Sequence, residues 1–211
     1  LFFKCDARFL REEGYRVLEP KVSYMGHVHQ RAKQLQQQIH DWSERDHNEK
    51  VILLSHSLGG LDARWLVSPG SGLDDEALVQ SVVTIATPHR GTITADIARI
   101  GVTPLKFFTD GLVNYSLQGV HCLTTDFVRN DFNSKCVDSP HVSYFSVAGE
   151  KGSVISNYSP ILRLPHVILY LTEGPNDGMV SVQSAKWGHF LGTFPVDHLD
   201  QIRNINASRN M

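Results

Sequence analysis

No stretch of this sequence comes near the roughly 18 consecutive apolar residues that a bilayer span needs, and its longest apolar runs are only strand-length. A transmembrane segment is therefore not expected. An excess of one charge is missing as well: 20 Lys and Arg against 22 Asp and Glu leave a net charge of −2, with no basic stripe on which nucleic acid could settle. Cysteine is scarce. Cys5, Cys122 and Cys136 form no C-x-x-C pair, and their odd number leaves at least one thiol outside any intrachain bridge. Cys122 and Cys136 fit either a disulfide or two buried thiols. Leu1-Phe2-Phe3 runs at once into Lys4, Asp6 and Arg8, without the apolar middle region of a signal peptide, so the sequence reads as starting inside a longer chain. Sequons begin at Asn114, Asn157 and Asn206 but count only on a secretory route. Localisation stays open between the secretory pathway and the cytoplasm.

What is present is ordinary for a globular protein: 41% hydrophobic and 20% charged residues over 211 positions, enough chain for one domain over 1–211 with a substantial core. Phe3, Ala7, Phe9 and Leu10 predict a helix that stops at Gly14, and Tyr15 to Glu19 predicts a strand. Ala32, Leu35, Ile39 and Trp42 predict an amphipathic helix from His27 to about Arg45. Val51-Ile52-Leu53-Leu54 is the kind of run that a parallel sheet buries on both faces, and Val82 to Ile85 is a second. Between them, Leu58 to Val67 has helical spacing. Val142 to Ala148 and Val167 to Thr172 also have strand texture. This alternation predicts the α/β class, a mostly parallel sheet with helices on both faces. Residues from about 92 to 140 break the rhythm and read as an insertion, with a helical stretch over Ile93 to Leu117.

The chemistry begins at "SHSLGG", residues 55–60, directly after the first buried-strand candidate and directly before a helix. A serine at such a corner has two readings. It caps the following helix, or it is a nucleophile thrust out of the backbone by a sharp turn, for which the residues two before and two after must be small. Ser55 and Gly59 meet that need. A serine hydroxyl also requires a base, and the base an orienting acid; on strand-turn-helix architectures they follow in the order Ser, Asp or Glu, His. Asp177 in "PNDGMV" and His198 in "PVDHLDQI" satisfy that order. His27 and His29 alternate without a third ligand and are set aside as a zinc site.

Taken together, "HSLGGLDAR" (His56 to Arg64), "VVTIATPHRGT" (Val82 to Thr92), "PNDGMVSVQSAKWG" (Pro175 to Gly188) and "DHLDQI" (Asp197 to Ile202) resemble the α/β-hydrolase lipases of the Pseudomonas and Burkholderia type and their eukaryotic relatives. The resemblance implies a serine ester hydrolase acting on acylglycerols or related fatty-acyl esters, with Ser57 as nucleophile, Asp177 as acid and His198 as base. An acyltransferase or thioesterase with the same triad, or a non-catalytic binding module of the same fold, are the alternatives. It places one oxyanion donor on the Leu58 N–H and the second in a His-Gly loop upstream of Leu1, so the segment reads as N-terminally truncated and is expected to be weak or unstable alone. It further implies a lid over Ile93 to Leu117 that makes transient contact with a lipid interface, and loop residues His89 and Arg90 near the site. Finally, it implies a structural calcium held by two aspartates, one of them at the position of Asp200. The stretch 152–167, where the second is expected, contains no aspartate, so the expectation is no cofactor and no metal.

Overall fold

The protein is described by a computed structural model that covers residues 4–24, 26–43, 50–71, 78–100 and 118–203. Four strands, β1 (Val51–His56), β2 (Val79–Ile85), β3 (Ser143–Gly149) and β4 (His189–Phe194), form one sheet in the order β1-β2-β3-β4. All three pairings are parallel. Parallel neighbours need crossover connections, and the intervening helices provide them.

The first helix, α1 (Lys4–Glu12), ends where Gly14 adopts a φ of 89°, a conformation open to glycine. After it, Tyr15 to Glu19 forms no strand. Its polar groups are satisfied locally instead: the Arg11 guanidinium donates to the Val17 carbonyl and the Glu19 carboxylate. Helix α2 (Val28–Ser43) then fixes the rest of this connection, because Gln38 accepts from Lys21 N–H and Gln34 from Ser23 N–H. Those side-chain bonds replace the ladder that a strand would have used.

Helix α3 (Leu58–Val67) lies under the sheet, and its residues Ala63, Leu66 and Val67 pack with Leu35 and Ile39 of α2 and with Leu53, Val79 and Val82 of the strands. A second cluster joins Leu58, Leu61 and Trp65 of α3 to Val28 and Ala32 of α2 and to Cys122, Phe127, Val128, Phe132 and Cys136. The later part of the expected insertion is thus core. It contains a π-helical turn, Phe127–Phe132, followed by the helical residues Asn133–Lys135. Cys122 and Cys136 are buried free thiols, each pushed up to about 11 by burial.

Between the two, α2 and α3 are also tied by a buried ion pair, Arg31 to Asp62 at 2.7 Å. The Arg31 guanidinium reaches the Tyr24 carbonyl at 2.9 Å as well, so one charged group fastens both the helix pair and the connection before it. Removing either partner of such a pair strands a buried charge, at a cost of about 3–5 kcal/mol.

β1 departs from burial on both sides. Leu53 faces α2 and α3, while Ile52 and Leu54 are 57% and 41% exposed on the other side, among the described residues. The predicted strand at Val167 to Thr172 is helical: α5 (Arg163–Thr172) follows α4 (Ile93–Arg99) in our numbering. Leu162, Pro165, His166 and Leu169 are buried at steps of three and four, and Pro165 lies in the first helical turn, where a missing N–H is tolerated. Two short helices come later in the chain, α6 (Val182–Ala185) and α7 (Asp200–Arg203). Most of the expected lid, residues 101–117, lies outside the described residues, as do Asn114 and Asn206. No helix of the described residues is long and apolar enough to cross a membrane.

Candidate active site

Ser57 stands between the end of β1 and the start of α3 with φ 53° and ψ −129°, a left-handed conformation that a non-glycine residue adopts only when its surroundings enforce it. The surroundings are identifiable. The Ser57 N–H donates to the Ile85 carbonyl at 3.0 Å, and the Ser57 carbonyl accepts from the Thr87 hydroxyl at 2.8 Å and from Gly60 N–H at 3.0 Å. The end of β2 therefore clamps the corner of β1 from both sides of the peptide. Ala86, next to both clamps, itself has φ 47°.

Of the two readings of this serine, the helix cap is the one that the side-chain geometry does not match. Ser57 occupies the N-cap position of α3 but makes no side-chain cap bond. Its Oγ lies 3.1 Å from His198 Nε2 instead. The steric requirement differs from the sequence-based one: a Cβ added at Gly59 would sit 3.9 Å from Ser55 Cβ, an ordinary contact, whereas one at Gly60 would fall 2.0 Å from Thr87 Oγ1. Gly60 is the position that must lack a side chain. The Leu58 N–H lies in the first turn of α3, where helical N–H groups have no partner within the helix.

His198, only 7% exposed, turns Nδ1 toward Asp177 Oδ2 at 2.8 Å. Ser57, His198 and Asp177 thus form one hydrogen-bonded line. Asp177 is 1% exposed and sits in a turn closed by the Asn176–Ser181 bridge. Its Oδ1 accepts from Met179 N–H at 2.9 Å and Val180 N–H at 2.8 Å. Burial pushes this carboxyl up, but the His198 charge and bond together with these two N–H groups outweigh it and hold the group below its ordinary 3.8. Asn176, beside it, is fully buried and braced by His166 Nδ1 at 3.0 Å and by Gly178 N–H at 2.8 Å. A main-chain bond from His198 N–H to the Asp177 carbonyl, 2.8 Å, fastens the two loops together.

Two residues that the sequence did not single out belong here. Gln201, on α7, donates from Nε2 to Asp177 Oδ2 at 2.8 Å and contacts His56 Nε2 through Oε1 at 3.0 Å. His56, whose ring centre is 4.6 Å from that of His198, is driven down to about 3 by burial and by the His198 charge, against the pull of Asp177 and Gln201. It is neutral at physiological pH. "DHLDQI" carried the signal for Gln201, three residues and about one helical turn beyond His198, but nothing in spacing alone assigns it a partner.

His89 and Arg90 do not join this line. His89 is fully buried and bonded to Thr84 Oγ1 of β2 at 3.0 Å, and Arg90 donates to the carbonyls of Gln183 and Lys186, tying the loop to the neighbourhood of α6. His29 stacks on Trp65 at 4.0 Å. Among the described residues no group of three or more His, Cys, Asp or Glu side chains is arranged to hold a metal. At the position where the resemblance implies calcium, Asp200 pairs with a cation of the chain itself. Asp200 Oδ2 is engaged by the Lys151 ammonium, and that ammonium also reaches Asp197 Oδ2 at 3.3 Å.

A parallel sheet whose first strand ends in a strained serine, followed in order by an acid and a histidine that reach it, is the arrangement of the α/β-hydrolases. Solved structures agree on the fold. A metagenomic carboxyl esterase matches with a TM-score of 0.76 at 23% identity, over 92% of this chain and 57% of that one. The mature lipase of Bacillus licheniformis matches with 0.73 at 24%, over 89% and 74%. Within that fold its sequence is similar to lipases. It is 33% identical over 204 residues to triacylglycerol lipase 2 of Saccharomyces cerevisiae, covering 92% of this chain and 60% of that protein. It is 26% identical over 248 residues to the triacylglycerol lipase of Pseudomonas fragi, covering 97% and 82%. Residues 16–105 match the PGAP1-like alpha/beta domain. The chain therefore spans 60% of the length of the yeast relative.

Proposed function

We propose that this chain carries the catalytic centre of a serine ester hydrolase, with Ser57 as nucleophile, His198 as general base and Asp177 as its orienting acid, acting on acylglycerols or related fatty-acyl esters. The observation that carries this reading is the line from Ser57 Oγ to His198 Nε2 at 3.1 Å and from His198 Nδ1 to Asp177 Oδ2 at 2.8 Å. A cap-forming serine would have turned to its own helix.

With Nδ1 bonded to an ionised carboxylate, the bare Nε2 of His198 takes the Ser57 proton as Oγ attacks the ester carbonyl. The Leu58 N–H, at the positive end of α3, gives one bond to the developing oxyanion. His198 then protonates the leaving alcohol, water adds to the acyl-enzyme with His198 again as base, and the carboxylic acid leaves. No step calls for a cofactor. The acylglycerol substrate class is supported by the yeast and Pseudomonas relatives, both of which are named triacylglycerol lipases. Transient contact with a lipid surface belongs to the same reading.

A fluorophosphonate probe and p-nitrophenyl butyrate test it on the intact protein. Labelling is expected at Ser57, and His198→Ala is expected to lower kcat/KM by about three orders of magnitude or more. An unlabelled Ser57 in folded protein would leave a binding module of the same fold, and a normal rate in H198A would remove His198 from the base role. Acyl transfer to added alcohol in preference to water would favour an acyltransferase.

A further inference from the structure

The residues flanking His198 carry two carboxylates that the triad does not use. Asp197 has no exposed surface. Its Oδ1 accepts from Leu199 N–H at 3.0 Å and Asp200 N–H at 2.9 Å, which opens α7. Its Oδ2 accepts from Ser159 N–H and from the Ser159 hydroxyl, both at 2.8 Å, and faces Lys151 Nζ at 3.3 Å. The same ammonium forms an ion pair with Asp200. A fully buried carboxylate needs a compensating charge, and Lys151, which directly follows β3 and Glu150, delivers one from the sheet.

We propose that Lys151 is a positioning residue for the hydrolysis, a cation tethered to the end of β3 that clamps Asp197 and Asp200 and so holds His198 in reach of Ser57, in the place that the resemblance assigns to calcium. This rests on the triad reading above. Three observations support it. The two clamped residues are the one before and the second after His198, so the backbone carrying the imidazole is fixed on both sides. Calcium requires about six to eight oxygen ligands, whereas Asp200 already pairs with the Lys151 ammonium, both oxygens of the neighbouring Asp197 are taken by N–H, hydroxyl and ammonium donors, and the stretch 152–167 offers no acidic residue. The loop that bears Lys151 is itself anchored: Lys151 N–H donates to the Tyr158 hydroxyl at 3.1 Å, and that hydroxyl donates to the Asn176 carbonyl at 2.7 Å, adjoining Asp177. Acid and base are therefore braced through one segment. A displacement of about 1 Å in such a centre can cost on the order of a hundredfold in rate.

The test uses the intact protein, with thermal melting and p-nitrophenyl butyrate kinetics measured in millimolar EGTA and in millimolar calcium. Wild-type melting and turnover are expected to be the same in both. Lys151→Ala is expected to melt earlier and, well below its melting point, to lose about tenfold in kcat with KM within about twofold; Lys151→Arg is expected to keep most of both. Lys151→Met, which retains the alkyl stem, replaces the alanine variant if that does not fold. Wild-type melting lowered by EGTA and restored by calcium would overturn the proposal. So would K151A or K151M with wild-type kcat, even at a lower melting point, since the clamp would then not position the base. If the protein hydrolyses no ester at all, the triad reading fails, while the melting comparison still reports on the clamp.

Discussion

Ser57 and His198 meet across 3.1 Å, yet the two ends of that bond are held by different physics. On the serine side the work is steric: a left-handed φ of 53° is enforced by two main-chain bonds and the Thr87 hydroxyl, over buried Leu58 and Leu61 and a Gly60 with no room for a methyl group. On the histidine side it is polar: Asp177, Gln201, Asp197 and Lys151 fix the imidazole through charges and charge-assisted bonds. Close packing does not titrate, so the first arrangement is sensitive to volume. Ion pairs do, and the second is sensitive to charge and pH.

The largest test of this contrast lies on the polar side. Asp177→Asn is expected to lower kcat by about 10³–10⁴, because an amide no longer enforces the productive imidazole. The same variant carries a pH signature. The folded carboxyl is held below 3.8, so its stabilisation is complete above that value and is lost as pH falls through the lower folded value. The melting-temperature gap between wild type and D177N should thus be full at pH 7 and narrow below pH 3.8. A gap that stays constant into acid would deny the charge its part.

Gly60→Ala probes the steric side, since its Cβ would lie 2.0 Å from Thr87 Oγ1. A loss of about 1–3 kcal/mol in stability is expected from urea melts, equal at pH 5 and pH 8, as befits overpacking. Dependence on pH in that range would blur the division. The smallest effect belongs to Gln201→Leu, which removes one of the donors to Asp177 Oδ2: about fivefold in kcat/KM with nearly unchanged melting. An effect as large as that of D177N would make Gln201 a much stronger partner of the acid than one neutral bond accounts for.

The same division explains what could be read in advance. The helix-strand-helix run from α2 through β1 to α3, and β2 after it, were visible because burial against the sheet imposes periodicity on nearby residues. Ser57, Asp177 and His198 came to attention through order and turn chemistry. β4 escaped notice: it is six residues long, interrupted by Gly192 at φ 128°, and its register slips near that glycine. α5 was misread because Val167-Ile168-Leu169 has strand composition, while its helical period shows only when Leu162 and Pro165 are included. Lys151 lies 46 and 49 residues from the carboxylates it binds, and no local pattern encodes a contact of that span.

Both oxygens of Asp177 are committed, Oδ1 to two main-chain N–H groups and Oδ2 to Gln201 and His198. Such a carboxylate cannot swing about its own axis without breaking bonds at both prongs, which removes the rotational freedom that an aspartate in a solvated loop would keep. The imidazole inherits this stillness. The orientation of the ring toward Ser57 is thus set by a four-residue turn, Asp177 to Val180, whose first carbonyl accepts from the main-chain N–H of His198 itself.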